Sequence, residues 1–149
     1  MDAIDRKILR ELQRDASLSV TRLAALVGLS PSPCWRRVRA LEEAGVITAR
    51  VALVDPDKVD LGVTAFVRLR TARHDAPWLE NFAAAVGRIP GIVEVWRMSG
   101  DTDYLLRVVV PDIAGYDRVY KQLIAAADFA DVSSSFAMER ISYTTALPV

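Results

Sequence analysis

The chain has 149 residues, 52% of them apolar and 26% charged, which is enough to build a packed core and too apolar for a disordered chain. No apolar run reaches the roughly 18 residues of a membrane span, the opening MDAIDRKILR is charged and amphipathic rather than a secretion signal, and the single cysteine has no partner for a disulfide, so a soluble cytoplasmic protein is expected. The 19 basic and 19 acidic residues cancel, yet nine Lys/Arg face six Asp/Glu in the first fifty positions and ten face thirteen thereafter, which predicts a polyanion-binding head on an acidic body.

The first fifty residues read as three short helices. Ile4, Ile8, Leu9 and Leu12 recur at helical spacing, with Asp2 and Asp5 near the start and Arg10 and Arg14 toward the end, as the helix dipole favours. Ser19 is placed to cap a second helix, with Leu18 and Leu23 as a hydrophobic staple and Leu23, Ala24 and Val27 as its buried stripe. Gly28 stands where a left-handed residue would end it, and only Gly28-Leu29-Ser30 separates it from a third helix. Two helices across so tight a turn are the helix-turn-helix pattern.

The third helix opens within Ser30-Pro31-Ser32-Pro33, where either serine can cap and either proline fits the first turn. Cys34, Val38 and Leu41 fall on one side, Ser32, Trp35, Arg36 and Arg39 on the other, and Arg37 on a flank. An apolar seam backed by guanidinium groups and a hydroxyl is what a recognition helix presents to the major groove. Arginine either pairs with guanine or clamps phosphate, and both roles stay open for each arginine here. A merely solvated arginine face is the alternative, and an exposed Trp35 among those charges argues against it. Cys34 reads as a small core residue rather than a redox switch.

Thr48–Val54 is β-rich, predicting a wing or a strand exchanged between two copies, and Asp55-Pro56-Asp57 with Leu61-Gly62 supplies a linker. The expected division is a DNA-binding domain at 1–50, a strand and linker at 51–62, and a second domain at 63–149. In the latter, Val63–Thr71 alternates as a strand. Pro77–Arg88 follows as a helix buried through Trp78, Leu79, Phe82, Ala83 and Val86. Ile92–Met98 and Tyr104–Val110 are strands joined by the loop 99–103, Asp112 opens a second helix, and Val132–Tyr143 closes as a long strand. The fold class is therefore α+β: an N-terminal winged helix-turn-helix plus a C-terminal ferredoxin-like βαββαβ domain.

Right-handed crossovers put the first helical connection, the hairpin and the start of the last strand at one end of the sheet. His74, Gly100, Asp101, Asp103 and Ser133–Ser135 are thereby expected together. A glycine-bearing loop offers N–H groups to a carboxylate and aspartates offer charge to an ammonium, the two handles of a free amino acid. An Asp/Gly-rich turn with no ligand accounts for the composition equally well.

The whole chain resembles the Lrp/AsnC family of amino-acid-responsive regulators. The resemblance is carried by IDRKILRELQRDASLSVTRLAALVGLS, PCWRRVRALEEAGVI, VALVDPDKVDLGVTAFV, SGDTDYLLRVVVPD and the ending TTALPV. It implies dimers built through the βαββαβ (RAM-type) domain, assembling further into octameric rings. It also implies a small amino acid bound where the hairpin meets a neighbouring dimer, by Gly100, Asp101, Thr102, Asp103 and Tyr104 with Ser134 and Ser135, and with His74 beside them. Pro33-Cys34-Trp35, the spacing from His74 to Trp78, Trp96-Arg97-Met98 and SSFAMERISYTTALP resemble a branch that activates cysteine detoxification. That similarity implies L-cysteine as effector. Ala130-Asp131 departs from the pattern by offering no extra acidic or amide group to read an effector side chain.

No metal-ligand cluster, cofactor loop or nucleophile with a base accompanies these motifs, so neither an enzyme nor a metal or cofactor is expected. The expected partners are double-stranded DNA carrying an imperfect palindrome, a small amino acid and further copies of the chain. An effector-independent, nucleoid-type architectural protein is the rival reading.

Overall fold

Asp2 starts the first helix: its carboxylate accepts the N–H groups of Ile4 and Asp5, while Asp5 accepts the N–H of Asp2, all at 2.9 Å. This reciprocal box begins α1 (Ala3–Arg14). Ser19 caps α2 (Val20–Val27) through the Arg22 N–H, and Gly28 ends it at φ 76°, a conformation that a side chain would strain. Then α3 (Pro31–Glu43) begins after Ser30 with Pro31 in its first position; Ser30 makes no side-chain cap bond. Ile8, Leu9, Leu23, Ala24, Val27, Cys34, Val38 and Leu41 close into one small core, with Leu18 packed against it as the staple requires.

The computed structural model describes residues 1–149 and divides them into two units, Met1–Leu53 with Ile141–Val149, and Val54–Arg140. The end of the expected second domain, 63–149, thus groups with the helices, which it meets at Leu147 and Val149. Thr48–Val54 forms no strand, and Val51, Leu53 and Val54 are exposed. A strand needs a hydrogen-bonding neighbour, and this chain supplies none there. A short 3₁₀ turn, Pro56–Val59, follows.

The second unit runs β1 (Val63–Arg70), α4 (Ala76–Val86), β2 (Ile92–Arg97), β3 (Tyr104–Val110), α5 (Ile113–Ala126) and β4 (Asp131–Phe136). Its sheet is antiparallel in the order β2-β3-β1-β4, the ferredoxin-like arrangement. Alternation decides which face is covered: Ala65, Val67 and Leu69 of β1, with Tyr104, Leu106, Val108 and Val110 of β3, meet Trp78, Phe82, Val86, Tyr116, Val119 and Leu123 from the helices. The other face is open and carries Phe66, Trp96, Leu105 and the Glu94–Arg107 ion pair.

Two expectations need correction. The last strand ends at Phe136 rather than Tyr143, because its partner β1 begins at Val63 and the Ala137 N–H bonded to Thr64 is the final rung. Ala83 lies on the exposed side of α4, off the stripe formed by Trp78, Phe82 and Val86. No helix is long and apolar enough to cross a membrane.

Candidate DNA-reading helix and effector hairpin

On α3 the seam and the outer face separate as expected. Cys34, Val38 and Leu41 are buried, while Ser32, Trp35, Arg36 and Arg39 are exposed, Trp35 to 52%. Arg39 sits 3.6 and 3.5 Å from Glu42 and Glu43, surface pairs that hold it weakly. Burial pushes the Cys34 thiol pKa up, so the reactive thiolate is disfavoured and the residue is core.

Arg37 has a different place. Its Nη1 donates to Asp2 Oδ2 at 2.7 Å and Asp5 Oδ1 at 2.8 Å, fastening α3 to the start of α1. Those bonds, Asp5 first, raise the guanidinium pKa further. The Asp5 N–H and then Arg37 hold the Asp2 carboxyl below its ordinary 3.8. Arg37 holds α3 against the start of α1, and its guanidinium is already committed within the unit.

In the hairpin, Gly100 adopts φ 95°, which only glycine holds easily, and Asp101 is exposed beside it. Asp103 is committed to the fold: its Oδ2 accepts the Thr71 N–H at 2.8 Å, its N–H donates to Leu69 and its carbonyl accepts from Met98. Thr102 is half-buried. Tyr104 is buried, its ring 4.9 Å from Phe82 and 5.7 Å from Trp78, so it floors the hairpin from within the core instead of facing a ligand openly.

The pairing Leu69↔Tyr104 and Arg70↔Asp131 does bring the end of β1, the hairpin and the start of β4 to one end of the sheet. His74 is exposed in the connection after β1, next to Asp75, whose carboxylate accepts the Trp78 N–H and caps α4. The serines are not gathered there. β1 stands between β3 and β4, about 10 Å across two strand spacings. Ser134 bonds the Tyr116 hydroxyl on the helix side, while its neighbour Ser135 pairs with Phe66 on the open face. Successive strand residues face opposite ways, so Ser134 and Ser135 cannot meet one small ligand together.

Sequence reasoning passed over a cleft of about 210 Å³ between the start of α4 and the end of α5, where Arg73, Asn81 and Asp128 stand around Trp78 and Phe82. Arg73 pairs with Asp75 at 3.0 Å, and the buried Trp78 Nε1 has no acceptor. Adjacency to His74 was the only signal for Arg73; Asp128 had none. No three His, Cys, Asp or Glu side chains converge as a metal site.

A three-helix head presenting an arginine face, followed by a ferredoxin-like domain, defines a DNA-binding transcription regulator with a separate ligand-binding module. The family model for winged helix-turn-helix DNA-binding matches residues 1–48, and that for the Lrp/AsnC ligand binding domain matches 64–147. The chain belongs to the Lrp/AsnC family of transcription regulators. It is 47% identical over 150 residues to the DNA-binding transcriptional activator DecR of Escherichia coli K12, covering 100% of this chain and 99% of that protein. Among solved structures, an AsnC family regulator from Agrobacterium tumefaciens superposes with TM-score 0.95 at 60% identity, covering 99% of this chain and 97% of the other. The regulator NMB0573 of Neisseria meningitidis, solved as an L-Met complex, superposes with TM-score 0.92 at 38% identity, covering 99% and 96%. These relatives are regulators, not enzymes.

Proposed function

We propose that this protein is a cytoplasmic, sequence-specific transcription regulator whose DNA affinity is set by a small amino acid, L-cysteine being the favoured effector. The observation that carries the DNA reading is the exposed face of α3, where Ser32, Trp35, Arg36 and Arg39 are free to contact a groove while Arg37 is spent on the scaffold. Two such helices in a dimer reach successive major-groove faces. The operator is then an imperfect palindrome with half-sites about one helical turn or more apart.

The effector reading rests on the hairpin and on the L-Met complex of the Neisseria relative. Asp101 presents an exposed carboxylate beside Gly100, but Asp103, Tyr104 and Ser134 are turned inward. One chain therefore supplies half a site, and a neighbouring copy completes it. That need supports dimers joining into a larger ring, an octamer by family resemblance. Ligand bound between copies shifts the spacing of the heads, and with it affinity or DNA bending. The commitment of Asp103 and Ser134 to the fold favours one rival, an effector-independent architectural protein.

The deciding experiment titrates the purified protein against DNA upstream of its own gene and of the neighbouring gene, at fixed salt, with and without each amino acid. A tight, salt-sensitive complex altered by L-cysteine supports the proposal. A response to another amino acid replaces the effector, binding that ignores every amino acid supports the architectural reading, and no preference over random DNA removes both.

A further inference from the structure

The family model for the Lrp/AsnC ligand binding domain takes residues 64–147 as one module, yet the end of the chain, at Leu147 and Val149, is seated on the helices. The contact is specific. Gln13 Nε2 donates to the Leu147 carbonyl at 3.2 Å, and the Leu147 N–H donates back to Gln13 Oε1 at 2.6 Å, so one amide grips both polar groups of a single backbone residue. One turn earlier on α1, Arg10 donates to the Val149 carbonyl at 3.0 Å, and the Val149 side chain packs against the core built on Ile8 and Cys34. α1 is in turn pinned to α3 by Arg37, so a continuous set of contacts runs from the tail to the reading helix.

The other end of this tail is β4, held to β1 as far as the Ala137 N–H. Residues 138–146 lie between that rung and the first tail residue bonded to α1, Leu147, and they are exposed and form neither helix nor strand. The linker that leaves the head, Thr48–Asp55, is equally without helix or strand. The tail is a second tie, and seating Leu147 and Val149 on α1 closes a loop between β4 and the head.

We infer that Gln13 is a positioning residue: by seating the returning tail on α1 it couples β4 of the ligand-binding domain to the DNA-reading helix. The inference rests on the sensing function proposed above and adds the route by which the signal travels. It makes no demand on Gln13 as a DNA or effector contact.

The test uses the full chain, operator DNA and L-cysteine at fixed salt, followed by the other amino acids should L-cysteine be silent. Its readout is the ratio of DNA dissociation constants with and without amino acid. The wild type is expected to show a ratio of about fivefold or more, the lower end of ordinary allosteric coupling. In Gln13→Ala, amino-acid binding by calorimetry stays at the wild-type value and DNA affinity without amino acid stays within about twofold, while the ratio falls toward one. Hydrogen exchange at the Leu147 amide should accelerate in the same variant, reporting that the tail has left its seat. Gln13→Glu keeps the acceptor for the Leu147 N–H and loses the donor, so it should recover part of the ratio. Deleting Leu147–Val149 should repeat the alanine result.

A Gln13→Ala protein with a faster Leu147 amide and an undiminished ratio overturns the coupling, as does an undiminished ratio in the deletion. A wild type insensitive to every amino acid overturns the sensing function itself, and the coupling with it. The two failures are therefore distinguishable.

Discussion

The head and the body spend their polar side chains differently. In the head, eight buried residues make a core small enough that capping by Asp2 and Ser19 and the Arg37 clamp matter, while on the outer face of α3 Arg39 is engaged only in weak pairs with Glu42 and Glu43. In the body, a larger core covers one face of a sheet, and the hairpin's Asp103 is used to hold it together, as Ser134 is on the last strand. A reading surface can be built from one chain because DNA is a large, pre-formed partner. A pocket for one amino acid must surround its ligand, and a single copy of this sheet end does not.

Four measurements test that contrast. The largest effect is expected from Leu106→Ala, which empties a fully buried position of the sheet and should cost the body about 2–5 kcal/mol. Amide exchange should rise across β1–β4 and stay unchanged across α1–α3; loss of protection in both would mean that the two units do not fold separately. Next comes the arginine pair. Arg36→Ala should weaken operator binding by about 1–3 kcal/mol, or reduce the salt slope if it touches phosphate. Arg37→Ala should lower the head's melting temperature and change operator contacts less, and the reverse order would put Arg37 on the DNA.

A smaller effect separates the two hairpin aspartates. Asp103→Ala leaves the Thr71 N–H without its acceptor and should cost about 1 kcal/mol of body stability by denaturant titration. Asp101→Ala should leave stability intact and abolish the effector response, and a retained response would remove Asp101 from the site. The smallest is a pH effect on the surface clamps. Asp2 is held below its usual 3.8, chiefly by the Asp5 N–H, and Glu94 below 4.5, chiefly by the Trp96 indole N–H. Both lowered carboxyls stabilise the fold fully above those ordinary values, and the contribution is lost as pH falls through the lower folded ones. Thermal melts at steps from pH 6 to pH 3 should therefore lose stability only below about 4.5, and Arg37→Ala should blunt the head's share.

What was legible in the sequence was local. Ser19, Gly28 and Asp112 each act on residues within one helical turn, and each cap stands where the residue type requires. What was hidden depends on a distant partner. Thr48–Val54 has strand composition but no neighbour within the chain, and β4 stops where β1 begins. The Arg37 clamp spans 35 positions to Asp2, and the seat of Leu147 on Gln13 spans 134, beyond any periodicity. Tyr104 is the instructive case. It alternates in burial with Leu106, Val108 and Val110, but the run YLLRVVV carries apolar residues on both sides, so its composition does not tell which face of the strand is covered. The candidate site is legible in the same measure: its loop could be found from Gly100 and Asp101, but the burial of its other members follows from tertiary packing.

Cys34 turns the head into its own reporter. It is the only thiol in the chain, it is fully buried between three helices, and its environment discourages ionisation. An alkylating reagent therefore reaches it only when α3 peels away, so the labelling rate counts openings of the head and is blind to those of the body. Seated on operator DNA the clock should slow, and with the tail unseated it should run faster.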